Sequence, residues 1–357
     1  MKTKTLISSA TAIAAVASMS TTAVAGTIRH DRSDWDYRNL GNSYSSVGRL
    51  DLRGPASSWG CSGTLISSNW LLTAAHCLED KSAGYQNLTN GGFTLGGNSY
   101  SINLAVKYSG WLGNNRNPAL GGDIGLFRLS SAVRNVAAAT LNTATNEDLK
   151  VGTYVGFGTT GNGLTGFQSG TFGTKRAGQN IIGLGSRAGY SNNVLISDFD
   201  DPRTANWQPL SQPLNLEYQL APGDSGGGMF INGLLAGVNS FIDSTDGRTD
   251  SDYGDYSAAT RVSSYSNWIR NVMSGLSSTG VLNSLPRATS NYVPTLLSSY
   301  VELSESKLIG DLSQPLTVHE DVWDNSETVP EPTTIVGGLL SLSGMIAARR
   351  RRQKASN

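Results

Sequence analysis

The segment Gly63–Cys77, GTLISSNWLLTAAHC, contains two short apolar runs separated by the polar residues Ser-Ser-Asn. Apolar runs bounded by turn residues predict short strands. The second run leads into His76, so the pattern also delivers a histidine next to a cysteine. Similar runs recur at short intervals from Gly26 to Asn271, and this spacing predicts an antiparallel β-barrel or β-sandwich.

A helical pattern closes this region. Val262, Tyr265, Trp268, Ile269 and Val272 recur at steps of three and four residues, which predicts a helix with one apolar face against the strands. We therefore expect an all-β domain over residues 26–274 that ends in a helix. The regular pattern is lost over residues 275–328, where we expect a spacer or a small appendage.

The composition agrees with short strands and tight turns, since glycine accounts for 42 of the 357 residues and only 15% of the chain is charged. The formal net charge is zero, but seven of the 27 basic residues and one of the 27 acidic residues lie in the terminal segments. The remaining 20 basic and 26 acidic residues make the body of the chain mildly acidic. It offers no basic surface, so we expect no nucleic-acid partner.

Residues 1–25 have the three parts of a secretory signal peptide. Two lysines near the start are followed by an apolar run, and the segment ends in the small residues Ala23-Val24-Ala25. We expect cleavage after Ala25, which makes Gly26 the first residue of the exported chain. The first strand is then expected about twenty residues later, at Val47.

Residues 329–354 form a second terminal signal. Pro330-Glu331-Pro332 is followed by an uncharged run from Thr333 to Ala348 and then by Arg349 to Arg352. A helix over the uncharged run spans about 24 Å, less than the roughly 30 Å hydrocarbon core, so stable membrane spanning is marginal. The arrangement resembles the PEP-CTERM sorting signal of Gram-negative bacteria. That resemblance implies an exosortase-type sorting enzyme as partner, a transient membrane tether through a short tail helix, and delivery to the cell envelope or extracellular matrix. An ordinary C-terminal membrane anchor is the alternative.

The two cysteines, Cys61 and Cys77, are expected to form a disulfide in an oxidising compartment. Two sulfurs alone make a poor zinc site, and we expect no metal. Closing a loop of this length stabilises a fold by about 3 kcal/mol in the chain-entropy model.

Two polar residues in the apolar pattern suggest proton transfer. His76 next to a disulfide has a fixed ring, and an imidazole with a pKa near neutrality can accept and return a proton. Asp123, in the segment GGDIGLFRL at 121–129, stands at the start of an expected strand, where its carboxylate can orient the imidazole. Taken singly, the histidine is also compatible with a structural role and the aspartate with a turn cap.

The segment Ala221–Gly228, APGDSGGG, presents a serine among glycines. The backbone N–H groups of Gly223 and Ser225 can hold an oxyanion that develops when the Ser225 hydroxyl attacks a carbonyl. Gly226 and Gly227 are expected to keep the approach of a substrate open. A plain glycine-rich turn is the structural alternative.

Serine hydrolases differ in the order of these residues along the chain. The segment Gly223–Gly227 also fits the G-x-S-x-G turn of esterases, in which the histidine follows the serine. Here the histidine that follows Ser225 is His319, outside the patterned region, and long crossover helices are lacking. The order His76, Asp123, Ser225 instead matches serine hydrolases in which the histidine comes first and the serine last.

Four segments, LLTAAHC, DIGLFRL, GDSGGGMF and ATRVSSYSNWI, resemble the hallmark regions of chymotrypsin-like serine endopeptidases. The resemblance covers most of residues 26–271. It implies two six-stranded antiparallel Greek-key barrels with the active site in the cleft between them. It also implies an exported enzyme that hydrolyses protein or peptide substrates through an acyl-enzyme, with His76, Asp123 and Ser225 as a catalytic triad and without cofactor. A catalytically silent protein of the same fold, acting as a surface-binding or matrix module, is the alternative function.

The resemblance also places residues at the substrate pocket. Gln219 falls at the base of the primary pocket, where an aspartate would select lysine or arginine, and Ser240 and Phe241 fall on the strand that lines it. A neutral amide at the base argues against selectivity for basic residues. The acidic segment Asp243–Asp255, DSTDGRTDSDYGD, follows; it does not match EF-hand spacing, and we interpret it as a solvated loop near the pocket.

The chain departs from the family pattern at Asp224. In relatives activated by cleavage, the aspartate at this position pairs with a new N-terminal amine, commonly of Ile or Val followed by glycines. No such sequence precedes the first expected strand. The partner of Asp224 and the existence of an inactive precursor are open at the level of the sequence.

Overall fold

Short strands, most of them antiparallel, are the main regular structure of the computed structural model, which describes residues 26–204, 210–275 and the backbone of 301–303. The strands, in chain order, are β1 Gly26–Ile28, β2 Val47–Arg53, β3 Ser58–Ser67, β4 Trp70–Thr73, β5 Glu79–Asp80, β6 Gln86–Asn87, β7 Asn90–Leu95, β8 Asn98–Tyr108, β9 Gly125–Leu129, β10 Lys150–Gly156, β11 Thr160–Asn162, β12 Gly166–Gln168, β13 Arg176–Leu184, β14 Val194–Asp198, β15 Tyr218–Gln219, β16 Gly228–Ile231, β17 Leu234–Asp243, β18 Tyr256–Arg261 and β19 Val301–Leu303. The helices are α1 Asp34–Asn42, α2 Ser109–Gly113 and α3 Ser266–Met273.

Twelve of these strands close into two barrels. The first has the order β8-β7-β2-β3-β4-β9 and closes through pairing of β9 with β8. The second has the order β10-β13-β14-β18-β17-β16 and closes through pairing of β16 with β10. All of these pairings are antiparallel, so the expected fold of two six-stranded antiparallel barrels is confirmed.

Apolar side chains that alternate along the strands fill the barrels. In β7, for example, Gly91, Phe93 and Leu95 are buried while the residues between them are not, as expected for a strand with one face on the core. Phe93 packs with Leu50 of β2 and Leu65 of β3 in the core of the first barrel. The period of two thus decides which residues lie inside.

The closing helix forms as expected, with a later start. Val262–Tyr265 is a short 3-10 turn, and α3 begins at Ser266. Trp268 and Tyr265 pack edge-on against Tyr108 of β8, at ring distances of 5.5 and 5.0 Å. The helix therefore packs on the first barrel after the chain has completed the second.

The chain forms regular structure well before Val47, so the expectation that the first strand begins there is wrong. β1 lies between β11 and β15, with Thr27 opposite Gln219 of β15. α1 begins after Ser33, whose hydroxyl accepts a hydrogen bond from Trp35 N–H at 3.3 Å. β1 is only three residues long and fully buried, so it has no alternation from which the sequence would reveal it.

The two terminal signals, residues 1–25 and 329–354, lie outside the described residues. From the expected spacer or appendage, the structure describes Val301–Leu303, which pairs in parallel with β8. No helix within the described ranges is long and apolar enough to cross a membrane.

Candidate active site

His76 lies in a short 3-10 turn, Ala75–Leu78, directly after β4. Cys77 in this turn is joined by a disulfide to Cys61 in β3, with a Cα–Cα distance of 6.4 Å, which confirms the expected pairing. Because β3 and β4 also pair with each other, the disulfide fixes the turn to the sheet from which it emerges. The position of the imidazole is therefore set by covalent and backbone constraints.

Asp123 holds His76 through two hydrogen bonds. Its Oδ1 accepts from the backbone N–H of His76 at 2.9 Å, and its Oδ2 lies 2.7 Å from Nδ1 of the ring. The carboxylate is fully buried just before β9, and Thr260 donates a hydrogen bond to its backbone carbonyl at 2.9 Å. A buried carboxylate on Nδ1 fixes that nitrogen as the donor and leaves Nε2 as the free acceptor.

Ser240 completes the environment of Asp123. Its hydroxyl donates to Asp123 Oδ2 at 2.5 Å, across 117 residues of sequence. The family resemblance implies that Ser240 lines the substrate pocket, whereas in the structure its hydroxyl contacts Asp123. This hydrogen bond could not be predicted from a serine in an apolar strand, because β17 and Asp123 come together only when the two barrels pack.

The charges of Asp123 and His76 stabilise each other. Burial alone would lower the pKa of His76, but the adjacent Asp123 carboxylate raises it above its ordinary value. Burial alone would raise the pKa of Asp123, but His76 and the Ser240 hydroxyl lower it. Asp123 therefore stays ionised at neutral pH, and His76 is made a stronger base.

Ser225 lies in the loop between β15 and β16, and this loop is attached to the first barrel. Its backbone carbonyl accepts from Ser62 N–H at 2.8 Å, and the Ser62 hydroxyl donates to the carbonyl of Gly223 at 2.9 Å. The Ser225 carbonyl also lies 3.7 Å from Sγ of Cys77, the residue that follows His76. The structure thus brings the loop of Ser225 next to the turn of His76, although no hydrogen bond joins their side chains among the described residues. Catalytic hydrogen bonds are often incomplete without substrate.

In the loop of Ser225, the backbone N–H groups of Gly223 and Ser225 are available to a ligand, and those of Asp224 and Gly226 are not. Asp224 N–H donates to Ala221 at 3.0 Å, and Gly226 N–H donates to Asn239 at 2.8 Å. In contrast, the N–H groups of Gly223 and Ser225 donate no hydrogen bond to any described residue. These are the two groups expected to hold an oxyanion.

The structure explains the two glycines after Ser225, Gly226 and Gly227, by packing and not by substrate access. A Cβ on Gly226 would lie 2.0 Å from Thr73 Oγ1, and one on Gly227 would lie 2.2 Å from the carbonyl oxygen of Val155. Gly226 also has φ of +79°, which disfavours other residues. Both glycines are required by packing inside the protein, so the expectation that they clear the substrate's approach is wrong.

Asp224 has neutral donors as partners. Its Oδ1 accepts from Gly158 N–H at 2.8 Å, and its Oδ2 accepts from Ala221 N–H at 3.0 Å and from the Tyr218 hydroxyl at 3.2 Å. Burial raises its pKa to about 7, although these hydrogen bonds oppose the rise. The Tyr218 ring also packs against Gly26, where a Cβ would lie 2.1 Å from the hydroxyl oxygen. Tyr218 was not singled out from the sequence, in which it is an ordinary strand residue.

The two other expected pocket residues differ in exposure. Gln219 is fully buried, and its Oε1 accepts from the Ser257 hydroxyl at 2.6 Å. Its Nε2 has no partner among the described residues. Phe241 is half-buried, with its ring edge-on to Tyr190 at 5.5 Å.

Comparisons with known proteins agree with this arrangement. A model of the trypsin family matches residues 41–269. Trypsin I-P1 of Gallus gallus is 29% identical over 219 residues, which cover 60% of this chain and 79% of the relative. Chymotrypsin of Phaedon cochleariae is 27% identical over 228 residues, which cover 60% of this chain and 72% of the relative.

Chymotrypsin-like elastase family member 1 of Felis catus is 40% identical over 78 residues, but the match covers only 20% of this chain and 28% of the relative. The solved structure of HL collagenase superposes with a TM-score of 0.51 at 18% identity, covering 70% of this chain and 98% of that structure. At this identity the superposition supports the fold.

Proposed function

The chain belongs to the trypsin family and is a serine endopeptidase, and from this premise we propose that Ser225, His76 and Asp123 carry its chemistry. The observation that carries the proposal is the buried Asp123, which holds His76 by both its backbone and its ring. The buried carboxylate accepts both hydrogen bonds, and the one at Nδ1 leaves Nε2 as the base. The contact of the Ser225 carbonyl with Sγ of Cys77, the residue that follows His76, supports Ser225 as the nucleophile.

In the proposed reaction, Ser225 Oγ attacks the carbonyl carbon of a peptide bond while His76 Nε2 takes the hydroxyl proton. The carbonyl oxygen becomes an oxyanion, held by the N–H groups of Gly223 and Ser225. His76 then donates the proton to the leaving amine, which gives an acyl-enzyme. Water, deprotonated by the same imidazole, hydrolyses the acyl-enzyme and restores Ser225. Asp123 stabilises the imidazolium in both halves.

The substitution Ser225→Ala tests this mechanism against a silent binding protein. We expect the variant to lose casein hydrolysis while keeping the wild-type unfolding temperature, because the half-buried hydroxyl makes no hydrogen bond to any described residue. A matched control is Ser264→Ala, at an exposed position in the turn Val262–Tyr265, which should keep full activity. Casein hydrolysis that survives Ser225→Ala contradicts the proposal.

We further propose that the chain is exported and sorted. The signal-peptide pattern of residues 1–25 supports export, and the Cys61–Cys77 disulfide suits an oxidising compartment. The PEP-CTERM-like segment 329–354 supports delivery to the cell envelope or extracellular matrix by an exosortase-type enzyme. Sequencing both ends of the mature protein tests this, with Gly26 expected at the start and a C-terminus lacking the arginine cluster.

We also propose that removal of the signal peptide is the only cleavage needed for activity. Asp224, which sets the loop of Gly223 and Ser225, already has three donors. A chain that starts at Gly26 would begin directly in β1, against Tyr218. Full activity of a purified chain that starts at Gly26 supports this proposal, and a need for a second cleavage contradicts it.

A further inference from the structure

The loop between β17 and β18 gathers three carboxylates outside the proposed catalytic site. Oxygen atoms of Asp250, Asp252 and Asp255 all lie within 4.8 Å of one another. The loop is anchored by its backbone, since Phe167 N–H donates to the carbonyl of Asp250 at 2.8 Å. The backbone of the loop is therefore tied to β12 at Asp250.

Buried oxygen atoms in this cluster lack partners. Asp255 is 1% exposed, and its Oδ2 accepts from Ser251 N–H at 3.0 Å, but its Oδ1 has no hydrogen-bond partner among the described residues. Oδ1 of Asp250 is likewise buried and without a partner there. A buried carboxylate oxygen without a donor is costly, so such atoms commonly bind an ion or water.

The charge around the cluster is unbalanced. Asp246 adds a fourth carboxylate nearby, whereas Arg248 is the cation that reaches the cluster, at 2.7 Å from Asp250 Oδ2. A bound divalent cation would neutralise the repulsion among these carboxylates.

We propose that Asp250, Asp252 and Asp255 bind one Ca²⁺ ion. Ca²⁺ takes oxygen ligands at about 2.3–2.6 Å, so ligands on opposite sides of one ion are about 4.8 Å apart. The mutual distances of the three carboxylates fit this span. An all-oxygen ligand set disfavours Zn²⁺, which prefers nitrogen and sulfur, and Mg²⁺ requires shorter bonds in stricter geometry.

The ion would also stabilise the wall of the substrate pocket, a consequence that rests on the proposed function. Ser251, between two of the ligands, donates from its hydroxyl to the carbonyl of Leu220 at 2.8 Å. Leu220 N–H in turn donates to Ser257, whose hydroxyl contacts Gln219. Ordering this loop therefore orders the segment that leads to Gly223.

Calorimetric titration of CaCl₂ into the metal-free full chain tests the site without reference to activity. We expect one saturable site with Kd of about 10⁻⁴–10⁻³ M, the range of extracellular modules. At tenfold excess over Kd, the unfolding temperature should rise by about 3–6 °C, and equal MgCl₂ should give a smaller rise.

Two substitutions locate the ion. Asp252→Asn and Asp250→Asn, both at partly exposed positions, should each weaken Ca²⁺ binding at least tenfold and remove the rise in unfolding temperature. The matched control is Asp201→Asn, at an aspartate paired with Arg203 outside the cluster, which should bind Ca²⁺ as the wild type does. No saturable binding to the wild type, or unchanged binding in both cluster variants, overturns the proposal. Loss of casein hydrolysis by Ser225→Ala has no bearing on this result, so the two proposals fail separately.

Discussion

Replacing Tyr218 with phenylalanine removes one hydroxyl and tests how Asp224 is held. The hydroxyl donates to Asp224 Oδ2 at 3.2 Å, and both side chains are fully buried. Burial, and then Asp224 itself, raises the pKa of Tyr218 well above its usual value. The hydroxyl therefore remains a donor at every pH at which the protein is handled.

The loss of stability expected for Tyr218→Phe depends on pH. Asp224 has a pKa of about 7 in the folded protein, against 3.8 for a free side chain, so it is ionised above pH 7 and protonated below. Because the folded value is the higher one, the contribution of Asp224 to stability falls as the pH rises from about 4 to about 7. Hydrogen bonds to charged groups contribute about 1.5–3 kcal/mol and neutral ones about 0.5–1.5 kcal/mol. Tyr218→Phe should then destabilise the fold by about 2 kcal/mol at pH 9 and about 1 kcal/mol at pH 5.

Urea unfolding at pH 5 and pH 9 measures both values. The charge of Arg176 lowers the pKa of Asp224 and is unchanged in the variant. The matched control is Tyr154→Phe, since the buried Tyr154 hydroxyl accepts from neutral Ser197 at 3.1 Å. Its loss of stability should be the same at both pH values. An equal loss at pH 5 and pH 9 for Tyr218→Phe refutes the assignment of Tyr218 as the partner of an ionising Asp224.

Three further predictions concern the site and its surroundings. In a pH–rate profile, wild-type kcat/KM should decline as the pH falls through a midpoint above 6.5, because the pKa of His76 is raised. Asp123→Asn should lower kcat/KM by about 10³–10⁴ and move this midpoint to lower pH. Gly226→Ala should destabilise the fold by about 3 kcal/mol or more. The control Gly233→Ala, at a similar φ of +78° but with no heavy atom within 4 Å of the added Cβ, should destabilise it by only about 1–2 kcal/mol. Equal losses of stability in thermal unfolding contradict the explanation by packing. In peptide-library cleavage the wild type should show no preference for Lys or Arg before the scissile bond, and Gln219→Asp should gain one. No gain in the variant contradicts the position of Gln219 at the base of the pocket.

The sequence predicts the barrels because short apolar runs recur along it, each bounded by turn residues. That signal is local, and it places His76 and Asp123 correctly at the ends of strands. It fails where the structure is set by distant packing. β1 is a fully buried three-residue strand between β11 and β15, and its partners lie more than 130 residues away along the chain.

The site shows the same limit. The identities of His76, Asp123 and Ser225 can be predicted from motifs, since each stands in a distinctive segment. The contacts of Ser240 with Asp123 and of Tyr218 with Asp224 cannot, because neither residue type is unusual in a strand. Gly226 shows a third case, in which the residue is predicted correctly and the reason is not: its missing side chain makes room for Thr73 of the other barrel.

Covalent labelling of Ser225 tests the central proposal most directly. The chain is treated with a serine-directed phosphonylating reagent, and the adduct is located by peptide mass mapping as casein hydrolysis is followed. We expect one adduct per chain, on Ser225, with loss of activity in proportion to labelling and slower labelling in Asp123→Asn. An adduct on another serine, or casein hydrolysis that continues when Ser225 is fully labelled, contradicts the account.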